Sequence, residues 1–383
     1  MPNETSAAAV AGRAATGVGG GAVENREGNV TLRVNGVAVS VPAGMTIKCA
    51  AERAGATVPT LCFLARRNAI GSCRVCSVEV EGQDALVTAC NTPVREGMSV
   101  VTDSSRVVEY RREMLRLILS DHHLDSTAFC FSCAKNGQCE LQALCRAYGV
   151  TEPTYTNGRP REAVLDSNPF LRYDPNLCIH CQRCVGACNN AAHNHTLHTG
   201  HQGRRLTIEA PFGPDWKATE CESCGNCAQA CPTGALVEKR MDGYRAWEVS
   251  KVRSTCPHCA VGCQIDFVVK DGRIVDAQAA PGPSNRSMLC VKGRSGSFDY
   301  IDAPDRLRTP LIKNRETGKF EPASWDEALD LVASRFGEIK RREGGDALAA
   351  FACSRSTNED IYMLEKMARC AFGTNNIDNC ARV

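Results

Sequence analysis

The sequence has no apolar run that approaches the ~20 residues a membrane-spanning helix needs. It also has little net charge, since 45 Lys and Arg against 43 Asp and Glu leave a formal +2. That balance argues against nucleic acid or an acidic membrane surface as the main partner. The first 28 residues hold no charged segment followed by an apolar one, and no twin-arginine pair precedes an apolar run. Residues 1–28, rich in Ala and Gly, are therefore expected to be a disordered tail, and the chain to be cytoplasmic.

What the chain does have is 24 cysteines in 383 residues. In a small secreted protein they would suggest disulfides. Here they fall in dense C-x2-C groups, and residues so close together ligate one metal more easily than they pair with distant partners. A reducing cytoplasm keeps such thiolates free for metal.

Between the cysteines the elements are legible. Residues 29–41 alternate apolar and polar around Asn35-Gly36, which predicts a hairpin. Residues 46–57 read as a short helix. Val107, Tyr110, Met114, Leu117 and Ile118 recur at helical spacing, which predicts an amphipathic helix over 105–119. The stretch 151–168 reads as a linker. Residues 264–278 predict a second hairpin turning at Asp271-Gly272. Ser324-Trp325-Asp326-Glu327 is a capping box opening a helix whose buried face is expected at Leu329, Val332, Phe336 and Ile339. An apolar run at 347–352 and a helix from about Asn358 to Gly373 complete the opening of an α/β domain.

The first cysteine group is Cys62, Cys73, Cys76 and Cys90. A [2Fe–2S] cluster needs four thiolates, two per iron, and a loop around Gly71 would let backbone N–H groups approach the sulfurs. Zinc or free buried thiols are the alternatives, but the spacing is too uneven for the usual zinc ribbon. Following a hairpin and a helix, the group resembles the plant-type ferredoxin domain that opens the large subunit of respiratory complex I, which implies a β-grasp fold.

The second group is Cys130, Cys133 and Cys139, after His122 and His123. Three thiolates leave a four-iron cluster one ligand short, and imidazole can supply it. The segment Cys130-x2-Cys133-x5-Cys139-Glu140-Leu141-Gln142 resembles the histidine-ligated domain of complex I. It departs upstream, where Ser126 stands at the position of that domain's first Cys, counted from His122. The resemblance implies one histidine ligand, His122 ahead of His123.

The third group is an internal repeat, C-x2-C-x2-C-x3-C: Cys178, Cys181, Cys184 and Cys188, then Cys221, Cys224, Cys227 and Cys231. In two-cluster ferredoxins the fourth Cys of each run ligates the other cluster. On that rule Cys178, Cys181, Cys184 and Cys231 hold one cube, and Cys221, Cys224, Cys227 and Cys188 the other. Pro232 follows the second run, and Asn189 replaces it after the first.

The fourth group is Cys256, Cys259 and Cys263, then Cys290-Val291-Lys292-Gly293. Alone it fits a cube or zinc. In context it resembles the four-iron domain that begins molybdopterin oxidoreductases, which implies that Lys292 is an electron relay between cluster and pterin. Cys49, Cys145, Cys353, Cys370 and Cys380 have no such company and are expected to be small buried side chains.

The order of these groups resembles the alpha subunit of NAD-linked, cytoplasmic formate dehydrogenases, and Asn375–Val383 resembles the segment leading into their metal-ligating Sec or Cys. The resemblance implies an α+β multidomain protein. Its parts would be a disordered tail (1–28), a [2Fe–2S] ferredoxin-type domain (29–104) and a histidine-ligated [4Fe–4S] domain (105–150). A twin-[4Fe–4S] ferredoxin-type domain (168–247), a molybdopterin-oxidoreductase [4Fe–4S] domain (249–306) and the start of a molybdopterin α/β domain (307–383) would follow. It implies one [2Fe–2S] and four [4Fe–4S] clusters here, with bis-molybdopterin guanine dinucleotide and Mo or W in a longer enzyme that oxidises formate to carbon dioxide, releasing two electrons and a proton. The catalytic ligand would come directly after Val383, at a selenocysteine codon read as a stop, so no catalytic residue is expected within the chain. No dinucleotide fingerprint occurs, so a flavin-bearing NAD-reducing subunit, or a ferredoxin, would take the electrons. A complex I subunit and a stand-alone electron-transfer adapter remain the rivals.

Overall fold

The computed structural model describes residues 28–65, 67–123, 131–155, 160–210, 216 and 219–382. Cys130, Ser126, Val383 and nearly all of the expected tail lie outside the described residues.

The chain opens with β1 (Asn29–Val34), β2 (Val37–Pro42) and α1 (Ile47–Arg53), followed by β3 (Ser77–Val80), β4 (Val87–Thr88) and β5 (Ser99–Val101). Asn35 and Gly36 both adopt positive φ, 49° and 82°, so the β1–β2 turn forms where the Asn-Gly pair predicts it. The strands make one mixed sheet in the order β2-β1-β5-β3-β4, with β1 and β5 parallel. The helix expected over 46–57 is shorter, capped by the Thr46 hydroxyl on Cys49 N. Its Ile47, Ala50 and Ala51 pack on Leu32, Val34, Val78 and Val100 of the sheet.

Helix α2 (Ser105–Asp121) then crosses to α3 (Glu140–Ala147). Its buried residues are Val107, Arg111, Leu115, Leu119 and Ser120. The expected stripe is corrected here, because Leu117 is exposed and Tyr110 and Met114 lie only on the flank. The buried face runs through an arginine. Arg111 donates to Val75 O and Ser77 O, both at 3.0 Å, and to Tyr148 Oη at 3.0 Å, so its charge is taken inside with partners.

The middle of the chain is built of short pieces: β6 (Leu171–Tyr173), α4 (Arg183–Asn189), β7 (His198–Gly200), β8 (Thr207–Glu209), α5 (Asn226–Ala230) and β9 (Leu236–Glu238). β6 pairs with β9, which brings the two ends of this region together. A three-stranded antiparallel sheet follows, β10 (Ser250–Thr255), β11 (Gln264–Lys270) and β12 (Arg273–Ala279), then α6 (Val291–Ser295). The β11–β12 turn is the expected Asp271-Gly272, both at positive φ. The first strand was not legible in the sequence.

The last part contains β13 (Leu311–Lys313), β14 (Phe320–Pro322), α7 (Trp325–Glu343), β15 (Ala350–Ala352), α8 (Asn358–Met367) and β16 (Ile377–Asn379). The Ser324–Glu327 capping box forms as expected. The expected buried face of α7 does not. Leu329, Val332 and Phe336 are 57%, 48% and 38% exposed, because only Ile339 and the edge of Phe336 meet the small core around Leu348, Ala350, Ala368 and Phe372.

Candidate iron–sulfur sites

Cys62, Cys73, Cys76 and Cys90 converge from the loops flanking β3 and β4, and all four are buried. Their sulfurs form a chain of contacts, Cys73 to Cys62, Cys62 to Cys90 and Cys90 to Cys76. Hydrogen bonds from Cys73 and Cys90 push the Cys62 thiol down to about 2, against burial. The bond from Cys90 likewise lowers Cys76, to about 7. Gly71 has φ 66°, and a β-carbon there would lie 2.7 Å from Asn91 Nδ2. Glycine is therefore required by both conformation and space. Arg111, unremarked in the sequence, holds the carbonyls of Val75 and Ser77 on either side of Cys76.

In the second group His122 caps the C-terminus of α2 and is 5% exposed. Burial pushes its imidazole down to about 4, despite opposing contributions from Asp174 and a hydrogen bond to the Leu177 backbone. The ring is thus neutral at pH 7, and its Nδ1 has no hydrogen-bond partner. A buried, neutral imidazole with an unpartnered nitrogen suits a metal ligand. Cys133 borders the same residues. It too feels Asp174, and a β-carbon at Gly234 would lie 2.2 Å from Cys133 Sγ and 3.5 Å from Leu177 Cδ1. Cys139 caps α3 and accepts from Gln142 N at 3.5 Å. The His123 backbone N–H donates to Asn176 O at 3.0 Å, and its Nε2 is buried as well.

The repeat in the sequence is also a repeat of the backbone. His180 and Ser223, two residues after the first Cys of each run, have φ 53° and 54°. Gln182 and Gly225, before α4 and α5, have φ 58° and 70°. The equivalent bonds His180 N to Cys178 Sγ and Ser223 N to Cys221 Sγ are both 3.4 Å. Two small hollows result. The first is lined by Cys178, Cys181, Cys184 and Cys231, the second by Cys188, Cys221, Cys224 and Cys227. The fourth cysteine of each run thus lies with the other run's first three. Burial raises Cys184 and Cys227 far above the ordinary thiol range, with the neighbouring thiols of each hollow adding to it. Such thiols stay protonated unless a cation compensates. The donor set of four soft sulfurs around each hollow fits an iron cube.

Cys256, Cys259, Cys263 and Cys290 form the fourth group; burial raises the Cys256 and Cys263 thiols, and the nearby Cys259 and Cys290 add to it. Cys256 is buried, Cys263 half-buried, and Cys259 and Cys290 are exposed. A β-carbon at Gly293 would lie 3.3 Å from Cys256 Sγ, so glycine keeps α6 close to the sulfurs. Lys292 is exposed on α6, two residues from Cys290. Two positions further, Arg294 is 1% exposed and was missed in the sequence. It donates to Cys224 O at 2.8 Å, Glu238 Oε1 at 2.7 Å and Gln229 Oε1 at 2.8 Å. A β-carbon at Gly225 would lie 2.3 Å from Arg294 Cδ. A glycine between two cluster cysteines was the available signal of this close approach.

The groups also adjoin one another. Asn68 Nδ2 donates to Cys62 O at 2.8 Å and to Cys181 O at 2.9 Å, which links the first group to the first hollow. Glu140 N donates to Pro232 O at 2.9 Å, and Lys135 Nζ to Cys231 O at 2.7 Å, which link the second group to it. Of the remaining cysteines only Cys145 is buried and Cys49 half-buried. Cys353, Cys370 and Cys380 are exposed, contrary to expectation, because no other described element covers the outer face of the last domain there.

Five family profiles match successive stretches of the chain. They describe a 2Fe-2S iron–sulfur cluster binding domain over residues 27–105 and an NADH-ubiquinone oxidoreductase-G iron–sulfur binding region over 111–154. An NADH-quinone oxidoreductase subunit 3 ferredoxin-like domain matches 168–237, a molybdopterin oxidoreductase Fe4S4 domain 249–299 and a molybdopterin oxidoreductase domain 306–383. The chain therefore carries a [2Fe–2S] domain, several [4Fe–4S] regions and the beginning of a molybdopterin oxidoreductase domain. It is 37% identical over 356 residues to the alpha subunit of the NADPH-Fe(3+) oxidoreductase of Geobacter sulfurreducens, covering 92% of this chain and 40% of that protein. It is 34% identical over 360 residues to a subunit of an NADH-quinone oxidoreductase of Rhizobium meliloti, with the same coverage. It is 33% identical over 367 residues to a provisionally named formate dehydrogenase of Staphylococcus haemolyticus, covering 85% of this chain and 36% of that protein. The chain thus spans about two fifths of the length of these relatives.

Proposed function

We propose that the chain is the electron-transfer portion of a cytoplasmic formate dehydrogenase. On this reading electrons pass from a Mo- or W-pterin site to a flavin-bearing NAD-reducing partner or a ferredoxin. The observation that supports the reading is the set of four cysteine groups, of which the first, second and fourth are each tied to the third by hydrogen bonds. When bound, each cluster accepts and donates one electron at a time. The ligands would be Cys62, Cys73, Cys76 and Cys90 for a two-iron cluster. For the four-iron clusters they would be His122 with Cys130, Cys133 and Cys139, the two crossed sets of the repeat, and Cys256, Cys259, Cys263 and Cys290. The protein's own contribution is to fix spacing, exclude water and aim N–H groups at sulfur, as His180 and Ser223 do. Arg294 would keep the fourth site against the second hollow, and Asn68 the first site against the first hollow. Lys292 would lie on the pterin side. Among the described residues no helix is long and apolar enough to cross a membrane.

A second reading, an NAD(P)H-linked reductase that does not use formate, is favoured by the similarity to the Geobacter sulfurreducens protein. Adding formate anaerobically to the complete enzyme with its partner, and recording paramagnetic spectra, separates the two. Formate should reduce the clusters. Reduction by NADPH or NADH but never by formate would establish the second reading instead.

A further inference from the structure

Each hollow of the repeat is walled by one aromatic side chain whose polar atom is buried without a partner. Tyr173 lines the first hollow and is 3% exposed. Trp216 lines the second and is 4% exposed. Neither Tyr173 Oη nor Trp216 Nε1 has a hydrogen-bond partner within ordinary distance. Buried phenol and indole donors are nearly always satisfied, so two exceptions on the walls of two sulfur-lined hollows point to an acceptor inside them. The backbone fixes both rings. Tyr173 ends β6, where strand alternation turns Leu171 and Tyr173 inward and leaves Arg172 to pair with Asp242 at 2.6 Å. The Trp216 N–H donates to Ser167 Oγ at 2.9 Å, and its carbonyl accepts from the Thr219 hydroxyl at 2.8 Å. The rings stack on each other, with centroids 6.5 Å apart and planes 17° from parallel. Neither ring can therefore turn away from its hollow without displacing the other. Burial pushes the Tyr173 phenol well above its usual range, and the neighbouring Cys178 and Cys184 thiols add to this. The phenol is thus a neutral O–H at pH 7, and an indole N–H is a donor only.

We propose that Tyr173 Oη–H and Trp216 Nε1–H are the side-chain donors that raise the reduction potentials of the two cubes of the repeat, one donor to the sulfurs of each hollow. The inference rests on the cluster assignment made above and does not depend on the substrate of the complete enzyme. A hydrogen bond to a cluster sulfur stabilises the extra negative charge of the reduced state, which makes reduction easier. The backbone donors His180 N and Ser223 N are equivalent in the two runs, whereas a hydroxyl and an indole are not. The aromatic pair is thus the part of the repeat's hydrogen bonding that distinguishes one hollow from the other.

The test uses the whole chain with its clusters in place. Tyr173→Phe keeps the ring and removes only the hydroxyl. Redox titration followed by paramagnetic resonance should show one four-iron midpoint lowered, the reduction equilibrium shifting about tenfold, or about 59 mV for one electron. Trp216→Phe should lower a different four-iron midpoint in the same direction. Proton double resonance on the reduced, unaltered chain should show a strongly coupled exchangeable proton that Tyr173→Phe lacks. In a chain carrying tryptophan labelled at the indole nitrogen, that nitrogen should couple to a reduced cube, and Trp247 and Trp325 line neither hollow. This last measurement needs no substitution, so it stands even if Trp216→Phe fails to fold. Unmoved midpoints with iron content and cluster spectra intact would overturn this inference and leave the cluster assignment standing. So would a shift of the same midpoint by both variants, or a labelled indole with no coupling. An unaltered chain that takes up no cubes in the repeat would overturn the assignment itself, and this inference with it.

Discussion

Arg294 donates its Nε–H to the backbone carbonyl of Cys224 at 2.8 Å, from a side chain that is 1% exposed. One arginine thus ties the helix after Cys290 to the loop between two cysteines of another site. Its charge is matched by Glu238 at 2.7 Å, itself buried. Removing one partner of such a buried pair typically costs about 3–5 kcal/mol, because the other is left uncompensated. Arg294→Gln should therefore lower thermal stability and slow electron transfer between the fourth site and the second hollow. Glu238→Gln in the same chain should recover part of the stability. Calorimetry and freeze-quench paramagnetic resonance read the two effects separately.

Glu238 also gives a pH dependence. Burial, outweighing the attraction of Arg294, raises its carboxyl from 4.5 to about 7. The folded state then holds the proton more tightly than the unfolded state, so this contribution to stability is complete below about pH 4.5 and is lost as pH rises through about 7. Denaturation midpoints should fall across that window in the unaltered chain, and fall less in Glu238→Gln. An identical pH profile for both would exclude the carboxyl as the cause.

Gly234 tests the second site without replacing a ligand. A β-carbon there would lie 2.2 Å from Cys133 Sγ, so the thiol would have to move. Gly234→Ala should remove or distort one four-iron cluster, at an overpacking cost of about 1–3 kcal/mol. The two-iron signal should remain. His122→Ala should perturb the same cluster and His123→Ala should not, since His122 is the neutral imidazole facing Leu177 and Asp174. If only His123→Ala acts, the ligand assignment is reversed.

Cys231→Ser should damage the cluster of Cys178, Cys181 and Cys184, which line its hollow, rather than that of its own run. Paramagnetic spectra of Cys231→Ser and Cys188→Ser should show the two losses exchanged with respect to sequence order. Damage confined to the mutated run would rule out the crossed arrangement.

The parts that could be read from the sequence are those fixed by local chemistry. Asn35-Gly36 and Asp271-Gly272 set their turns because those residues accept positive φ, and Ser324 with Glu327 closes its own capping box. The cysteine repeat is equally local, and a general ligation rule carries it into three dimensions. Arg111, Arg294 and Asn68 were hidden because their partners are carbonyls 34 to 113 residues away, and nothing local distinguishes them from surface polar residues. The same limit misplaced the buried stripe of α2, where the arginine counted as polar. Periodicity located α7, but whether Leu329 and Val332 are covered depends on what packs against them.

The measurement that bears most directly on the account is the metal content of the chain reconstituted without oxygen. One two-iron and four four-iron clusters would bring roughly eighteen irons per chain with matching sulfide. The reduced protein should show five distinct paramagnetic centres. Zinc in place of iron, or iron for only two clusters, would contradict the assignment of these cysteines to an electron-transfer chain.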